Sequence, residues 1–397
     1  MPDYHYLIVG GGMAADAAAR GIREVDTDRD IGVLAEEPDA SYSRPPLSKG
    51  LWKGEPLESV WRKTADVGVQ LLLGKRAAKL DLALKHVIDH RGASYGYHQL
   101  LIASGGRPRR LVAGGDKLIY FRTLADYRRL RELAAPGKRA VVIGGGFIGS
   151  ELAAALATAG CKVTMLFSEP GVGARVFPSD LVKFLNEYYT ARGVTLLPGQ
   201  SAVGLQQKGR KSSVATLSGA DVPADAVVVG IGIQPNVELA EAAGLATDNG
   251  VVVDERLRVS TAGGAGGPGN VFAAGDVAAF TSPALGKRVR VEHEDNALTM
   301  GRYAGRAMAG ADDPPYAHLP FFYSDLFDLG YEAVGELDPR LETVADWKEP
   351  FREGVVYYVD RGRVRGVLLW GIFGKVDSAR TLISETKPIS GSLKGRI

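Results

Sequence analysis

Two glycine triplets carry the first chemistry legible in this chain. Gly10, Gly12 and Ala15 stand in the order G-x-G-x-x-A, and Gly144, Gly146 and Gly149 in the order G-x-G-x-x-G. Glycines at that spacing let a pyrophosphate approach the backbone at the positively polarised start of a helix. One such triplet is weak, because glycine-rich turns are common; the flanking sequence gives it meaning. Tyr6-Leu-Ile-Val precedes the first triplet and an Ala-rich run to Ile22 follows it. Ala140-Val-Val-Ile precedes the second, and the Ala-rich run from Glu151 to Ala159 follows. Each then reaches a further β-branched run, Ile31 to Leu34 and Lys162 to Phe167. That is a βαβ unit twice over, and glycines needed only for packing would not repeat the whole pattern.

A dinucleotide fold of this kind places an acid on the adenosine ribose some twenty residues beyond its glycines. Glu36 follows the first βαβ unit and Glu169 the second, although a solvated loop carboxylate is the plain alternative for each. A negative side chain there disfavours a 2′-phosphate, so Glu169 points to NADH over NADPH; nearby Arg175 weakens the inference. Gly275-Asp276, after the apolar run Asn270-Val-Phe-Ala-Ala274, is a third signal. A carboxylate at a strand's end can accept a hydrogen bond from a ribityl hydroxyl, so the outer fold is assigned FAD and the inner one NAD. The single cysteine, Cys161, allows no intrachain disulfide and no CxxC redox pair, and it reads as a small apolar residue near a strand.

The elements that must hold these residues are α/β in character. The fold class is two Rossmann-like dinucleotide-binding domains, the NAD domain inserted in the FAD domain, followed by a C-terminal α+β domain. The expected boundaries are 1–113 and 233–313 for the FAD domain, 114–232 for the NAD domain and 314–397 for the C-terminal domain. Alternating patches between Leu71 and Ile102 predict antiparallel strands, Thr123-Leu-Ala-Asp126 a capping box, and Ala224 to Ile233 one buried strand. Gly263 to Gly269 reads as a solvent-facing connection. Glu292 and His293 are expected to begin a helix whose Ala297, Gly301, Gly305 and Ala309 share one face. Gly354 to Trp370 predicts a hairpin, and Lys375 to Ser384 a closing helix.

The chain resembles the FAD/NAD(P)-dependent pyridine nucleotide reductases of the ferredoxin and rubredoxin reductase kind, and most closely the apoptosis-inducing factor group. The resemblance rests on Ser41-Tyr-Ser-Arg44-Pro-Pro-Leu-Ser-Lys49, Gly144-Gly-Gly-Phe-Ile-Gly149-Ser-Glu151, Phe167-Ser-Glu169, Val291-Glu292-His293-Glu-Asp-Asn and Phe322-Tyr323-Ser-Asp325. It implies FAD contacts at Arg44, Lys49, Ala78, Ser104, Gly105, Asp276, Glu292 and His293. It likewise implies nicotinamide-side contacts at Phe147, Ile148, Glu151 and Gly232, and a Lys49–Glu151 pair beside the flavin. Lys49, Glu151, His293 and Tyr323 are the residues it assigns to catalysis. Many relatives carry Trp where Tyr323 stands.

The chemistry implied is hydride transfer from NADH to FAD, with electrons passed on to an acceptor. A ferredoxin- or rubredoxin-type iron–sulfur protein, a quinone and O₂ are the candidates. The alternative is a redox sensor that forms a long-lived reduced FAD–NAD complex and signals through oligomerisation. A net charge of +2 over 397 residues argues against a nucleic-acid partner. No apolar run is long enough to span a membrane, no ligand spacing suggests a metal, and a cytoplasmic monomer or homodimer is the expectation.

Overall fold

The apolar runs before the two glycine turns are central strands of two sheets, each paired in parallel with both of its neighbours, as near-continuous Val/Ile/Leu composition favours. The computed structural model describes all residues except 113, 114, 116, 209, 210, 265 and 386. The boundary expected between 113 and 114 lies outside the described residues, as does residue 265 of the expected glycine-rich connection. Contacts divide the chain into a first unit of 1–43, 58–107 and 234–320, and a second of 44–57, 108–233 and 321–397. In chain order the helices are α1 (Met13–Arg23), α2 (Leu124–Leu133), α3 (Phe147–Thr158), α4 (Ser179–Ala191), α5 (Glu238–Ala242), α6 (Glu294–Met308) and α7 (Val376–Ser384).

In the first unit, the strand Asp3–Val9 lies between Ile31–Leu34 and Ser94–Ile102, parallel to both. Val271–Ala273 joins the far end of Ser94–Ile102 in the same sense. The expected antiparallel region is a meander of Ala77–Asp81, His86–Asp89 and Ser94–Ile102. Gln70–Leu72 departs from it and pairs parallel with Ile31–Leu34. Leu7, Ile8, Leu100, Leu101 and Ile102 are fully buried in the core.

Helices α1 and α6 cross in this unit at very close range. A Cβ added at Gly301 would fall 2.4 Å from the Ala14 carbonyl oxygen, and one at Gly305 would fall 2.0 Å from that of Ala18. The small-residue face expected from the sequence is thus a backbone-to-backbone contact. Gly305→Ala forces two helices apart rather than a side chain aside. It is expected to destabilise the protein by about 1–3 kcal/mol, the usual cost of overpacking, read as a lower urea midpoint with reduced flavin retention.

In the second unit, five parallel strands run in the order Thr195–Pro198, Lys162–Phe167, Arg139–Ile143, Ala226–Val229 and Ile119–Tyr120. The capping box is present: Thr123 accepts from the Asp126 amide, and the Asp126 carboxylate accepts from the Thr123 amide, opening α2. The single strand expected over 224–233 is divided. Asp221–Ala224 joins an antiparallel sheet, and only Ala226–Val229 enters the parallel one. Asp225 marks the break, its carboxylate taken by the Arg139 amide and guanidinium. The closing sheet is antiparallel, in the order Phe321–Leu326, Leu329–Gly335, Arg363–Trp370, Glu353–Asp360 and Glu342–Glu349. The predicted hairpin turns on Arg361 and Gly362, both at positive φ, and the predicted closing helix is α7. No helix among the described residues is long and apolar enough to cross a membrane.

Candidate functional site

Both glycine turns are built alike. Gly10 (φ +122°) lies so close to the Ala103 carbonyl oxygen that a Cβ would sit 2.1 Å from it; Gly144 (φ +117°) has the same relation, at 2.3 Å, to Gly230. Strand, turn and neighbouring strand are in backbone contact, which only glycine permits. The third position differs between the two folds. Gly149 would push a Cβ to 2.0 Å from the Gly144 oxygen, whereas Ala15 is accommodated fully buried.

Gly12 and Gly146 cap α1 and α3, and neither helix has a side-chain N-cap. A Cβ at either would meet nothing within 4 Å. Space is therefore open beside each positive helix end, as a pyrophosphate cradle requires. The residues present fit one dinucleotide in each unit.

In the first unit, Glu36 is exposed and lies 3.9 Å from Arg76. Ala78 is exposed on the edge strand Ala77–Asp81. Ser104 and Gly105 are clasped by Asn236: the Ser104 hydroxyl donates to its carbonyl, and its side-chain amide and backbone N–H donate to Ser104 and Gly105. Asp276 sits in the turn Gly275–Val277. His293 is the N-cap of α6, so the helix begins at Glu294, not at Glu292 as expected. The cause is Arg290. It is nearly buried, donates to the Asp276 carbonyl and pairs with Glu292 at 2.6 Å, which holds Glu292 outside the helix.

Asp16 is a part of this site that the sequence reading misses. It is fully buried in the first turn of α1 and accepts from Arg20, from Arg62 at 2.7 Å and from Thr64 at 2.7 Å. A lone carboxylate one turn from an anion-binding helix end would repel a phosphate; two guanidinium groups cancel it. Burial alone would raise its pKa, but the Arg20, Thr64 and Arg62 donors outweigh burial and hold it below the ordinary carboxylate value. A depressed folded pKa gives stability that is present above the unfolded value and lost as pH falls through the folded one. Asp16→Asn is therefore expected to cost roughly 1–3 kcal/mol at neutral pH. The difference should shrink below about pH 4, measured by urea unfolding across that range. The only signal in the sequence is an acid in an Ala-rich helix with Arg four residues on.

The second unit assembles three of the four residues expected to be catalytic. Pro45–Leu47 forms a 3₁₀ turn after Arg44, whose guanidinium donates to the Arg122 carbonyl. The turn delivers Lys49 to Glu151 at 2.7 Å, with side-chain exposures of 11% and 3%. The Lys49 ammonium also lies 5.2 Å from the centre of the Tyr323 ring, a half-exposed side chain on the closing sheet. Two hydroxyls missed in the sequence, Ser48 and Ser324, donate to the same carboxylate at 2.6 and 2.5 Å. Burial, reinforced by the Glu151 charge, holds the Tyr189 and Tyr331 phenols well above their ordinary pKa. Phe147 packs against Phe322 at 4.8 Å, Ile148 is 39% exposed, and Gly232 turns at φ +92° beside Arg109.

Glu169 lies beyond its strand, where an adenosine-ribose acceptor is needed. The loop after it folds back so that the Gly173 amide donates to the Gly145 carbonyl within the glycine turn. Burial would raise the Glu169 pKa, but its own amide, Arg175 and Ser168 outweigh that and lower it. Arg175 pairs directly with Glu169 through a mostly exposed side chain.

Comparison with known proteins decides the family. Residues 4–301 match the description of pyridine nucleotide-disulphide oxidoreductases. The chain belongs to that family. It is an FAD-dependent NAD(P)H oxidoreductase, and its single buried cysteine leaves it without the thiol pair that a disulphide reaction needs. Residues 304–350 match the C-terminal domain of mitochondrion-associated apoptosis-inducing factor. The chain is 34% identical to apoptosis-inducing factor 1 of Dictyostelium discoideum over 97% of its own length and 79% of that protein. It is 34% identical to the ferredoxin reductase subunit of a 5,5′-dehydrodivanillate O-demethylase from Sphingobium, over 92% and 89%. Among solved structures, putidaredoxin reductase in covalent complex with putidaredoxin has a TM-score of 0.89 at 29% identity, covering 98% of this chain and 95% of that one.

Proposed function

We propose that this family member takes hydride from NADH and delivers single electrons to an iron–sulfur carrier of the ferredoxin type. One observation carries the reading. A second glycine-opened helix end, with Glu169 beyond the following strand, stands in a chain with a single cysteine, so electrons from a nicotinamide have a flavin route and no intrachain disulfide route. The charged Glu169 supports NADH, because a 2′-phosphate beside it would be repelled. Likeness along nearly the whole chain to ferredoxin reductases supports the carrier.

When bound, FAD supplies the conversion of a two-electron hydride into single electrons. Gly12 and Gly146 would open the two helix ends to pyrophosphate, and Asp276 would accept from the ribityl chain. His293, at the start of α6, would present a positive helix end to a bound flavin. Lys49, held by Glu151 in the second unit, would supply a fixed positive charge to a bound flavin, and Tyr323 an aromatic face. Anaerobic titration of the purified yellow protein with NADH, followed by a panel of iron–sulfur proteins, quinones and O₂, tests the assignment. Fast turnover with one carrier is the expected result. A long-lived charge-transfer band reoxidised slowly by every acceptor overturns it. That outcome supports the redox-sensor reading, which the likeness to apoptosis-inducing factor favours.

A further inference from the structure

Glu151 has more donors than an ion pair needs. Lys49 and Ser324 both donate to Oε1, at 2.7 and 2.5 Å, and Ser48 donates to Oε2 at 2.6 Å. Ser48 and Ser324 are 4% and 1% exposed, so neither hydroxyl can turn to bulk water instead. The donors come from separate places in the second unit: the turn after Pro46, and the first strand of the closing sheet. A glutamate's terminal torsion is broad and nearly free. A carboxylate held only by a lysine would rotate with that lysine; one gripped at both oxygens has a fixed plane. The ammonium then has one place to be.

We infer that Ser324, aided by Ser48, is a positioning residue that sets the Lys49 ammonium through Glu151. This rests on the reading of Lys49 as the fixed positive charge toward the flavin. Ser324 shares an oxygen with Lys49, so loss of its hydroxyl acts directly on the atom that Lys49 holds. Ser48 anchors the opposite oxygen, so Ser48→Ala has the same kind of effect through rotation of the group. The two hydroxyls also make the carboxylate's position independent of where the ammonium goes, which is what a fixed electrostatic element requires.

The experiment is a double-mutant cycle in the holoenzyme between Ser324→Ala and Lys49→Met, reading the stopped-flow rate of flavin reduction by NADH and the flavin midpoint potential. Ser324→Ala is expected to slow reduction about tenfold, the equivalent of one charge-assisted hydrogen bond. The NADH dissociation constant should stay within twofold and the potential should become more negative. In the Lys49→Met background, Ser324→Ala should change neither quantity further, because its route to the flavin is gone. If Ser324→Ala has no effect alone, or an equal effect with and without Lys49, the positioning role is wrong while the Lys49 reading stands. If Lys49→Met alone changes neither rate nor potential, the Lys49 reading fails and takes this inference with it. Thermal midpoints and flavin content measured on each variant separate these results from loss of folding.

Discussion

Glu151→Ala is expected to be among the most destabilising single changes in the protein, at roughly 3–5 kcal/mol, the cost of leaving a buried charge without its partner. Lys49 is 11% exposed and loses its counter-ion, while Ser48 and Ser324 lose their acceptor. For a unit of this size the midpoint should fall by on the order of 10 °C. The sharper result concerns the pair. Lys49→Met combined with Glu151→Leu should be more stable than Glu151→Ala alone, because two similar-sized apolar groups need no partners. Recovery should be partial, since the buried Ser324 hydroxyl loses its carboxylate acceptor and Ser48 keeps only the Pro45 carbonyl at 3.4 Å. Flavin reduction by NADH should stay slow in the double variant. Thermal melts alongside stopped-flow reduction check both halves, and a double variant less stable than Glu151→Ala would mean that the pair stabilises the fold outright.

The same carboxylate shows what could be read from the sequence. Gly10 to Ala15 and Gly144 to Gly149 announce their elements locally: strand, turn and helix are contiguous, and Gly10 and Gly144 are forced by contact with the backbone just beyond the neighbouring strand. Gly301 and Gly305 were legible because helical periodicity puts them on one face, and the structure shows what that face meets. Ser48 and Ser324 were not. They stand 103 and 173 residues from Glu151, and nothing in a serine's surroundings states which distant acceptor it will find. Arg290 was missed for a related reason: an arginine two residues from a glutamate on a non-helical segment has no periodicity to mark the pair. The misplaced start of α6 follows from it, because Glu292 is a good first-turn residue by type and is removed from the helix by a partner. The strand expected over 224–233 failed at Asp225, whose charge was visible but whose partner, Arg139, lies 86 residues away. Local chemistry was legible, and long-range polar pairing was not.

Glu169→Ala should change which dinucleotide the protein prefers. In the wild type, Glu169 is only 18% exposed and paired with Arg175, whose own side chain is 74% exposed. The carboxylate has two tasks there: accepting from the adenosine ribose, and occupying a guanidinium able to meet a 2′-phosphate. Removing it loses a charge-assisted hydrogen bond worth about 1.5–3 kcal/mol, so the NADH dissociation constant should rise some 10- to 100-fold. It also releases Arg175, a planar donor suited to phosphate, toward NADPH. NADPH affinity should therefore increase while NADH affinity falls, a reversal that general damage to the site would not produce. Arg175→Ala in the wild-type background should leave NADH binding nearly unchanged, and the double variant should lose the NADPH gain while keeping the NADH loss. Titrations with both dinucleotides across the four proteins make the comparison. If Glu169→Ala leaves both affinities where they were, the adenosine does not lie at the end of the strand Lys162–Phe167, and the NADH preference proposed from this residue falls with it.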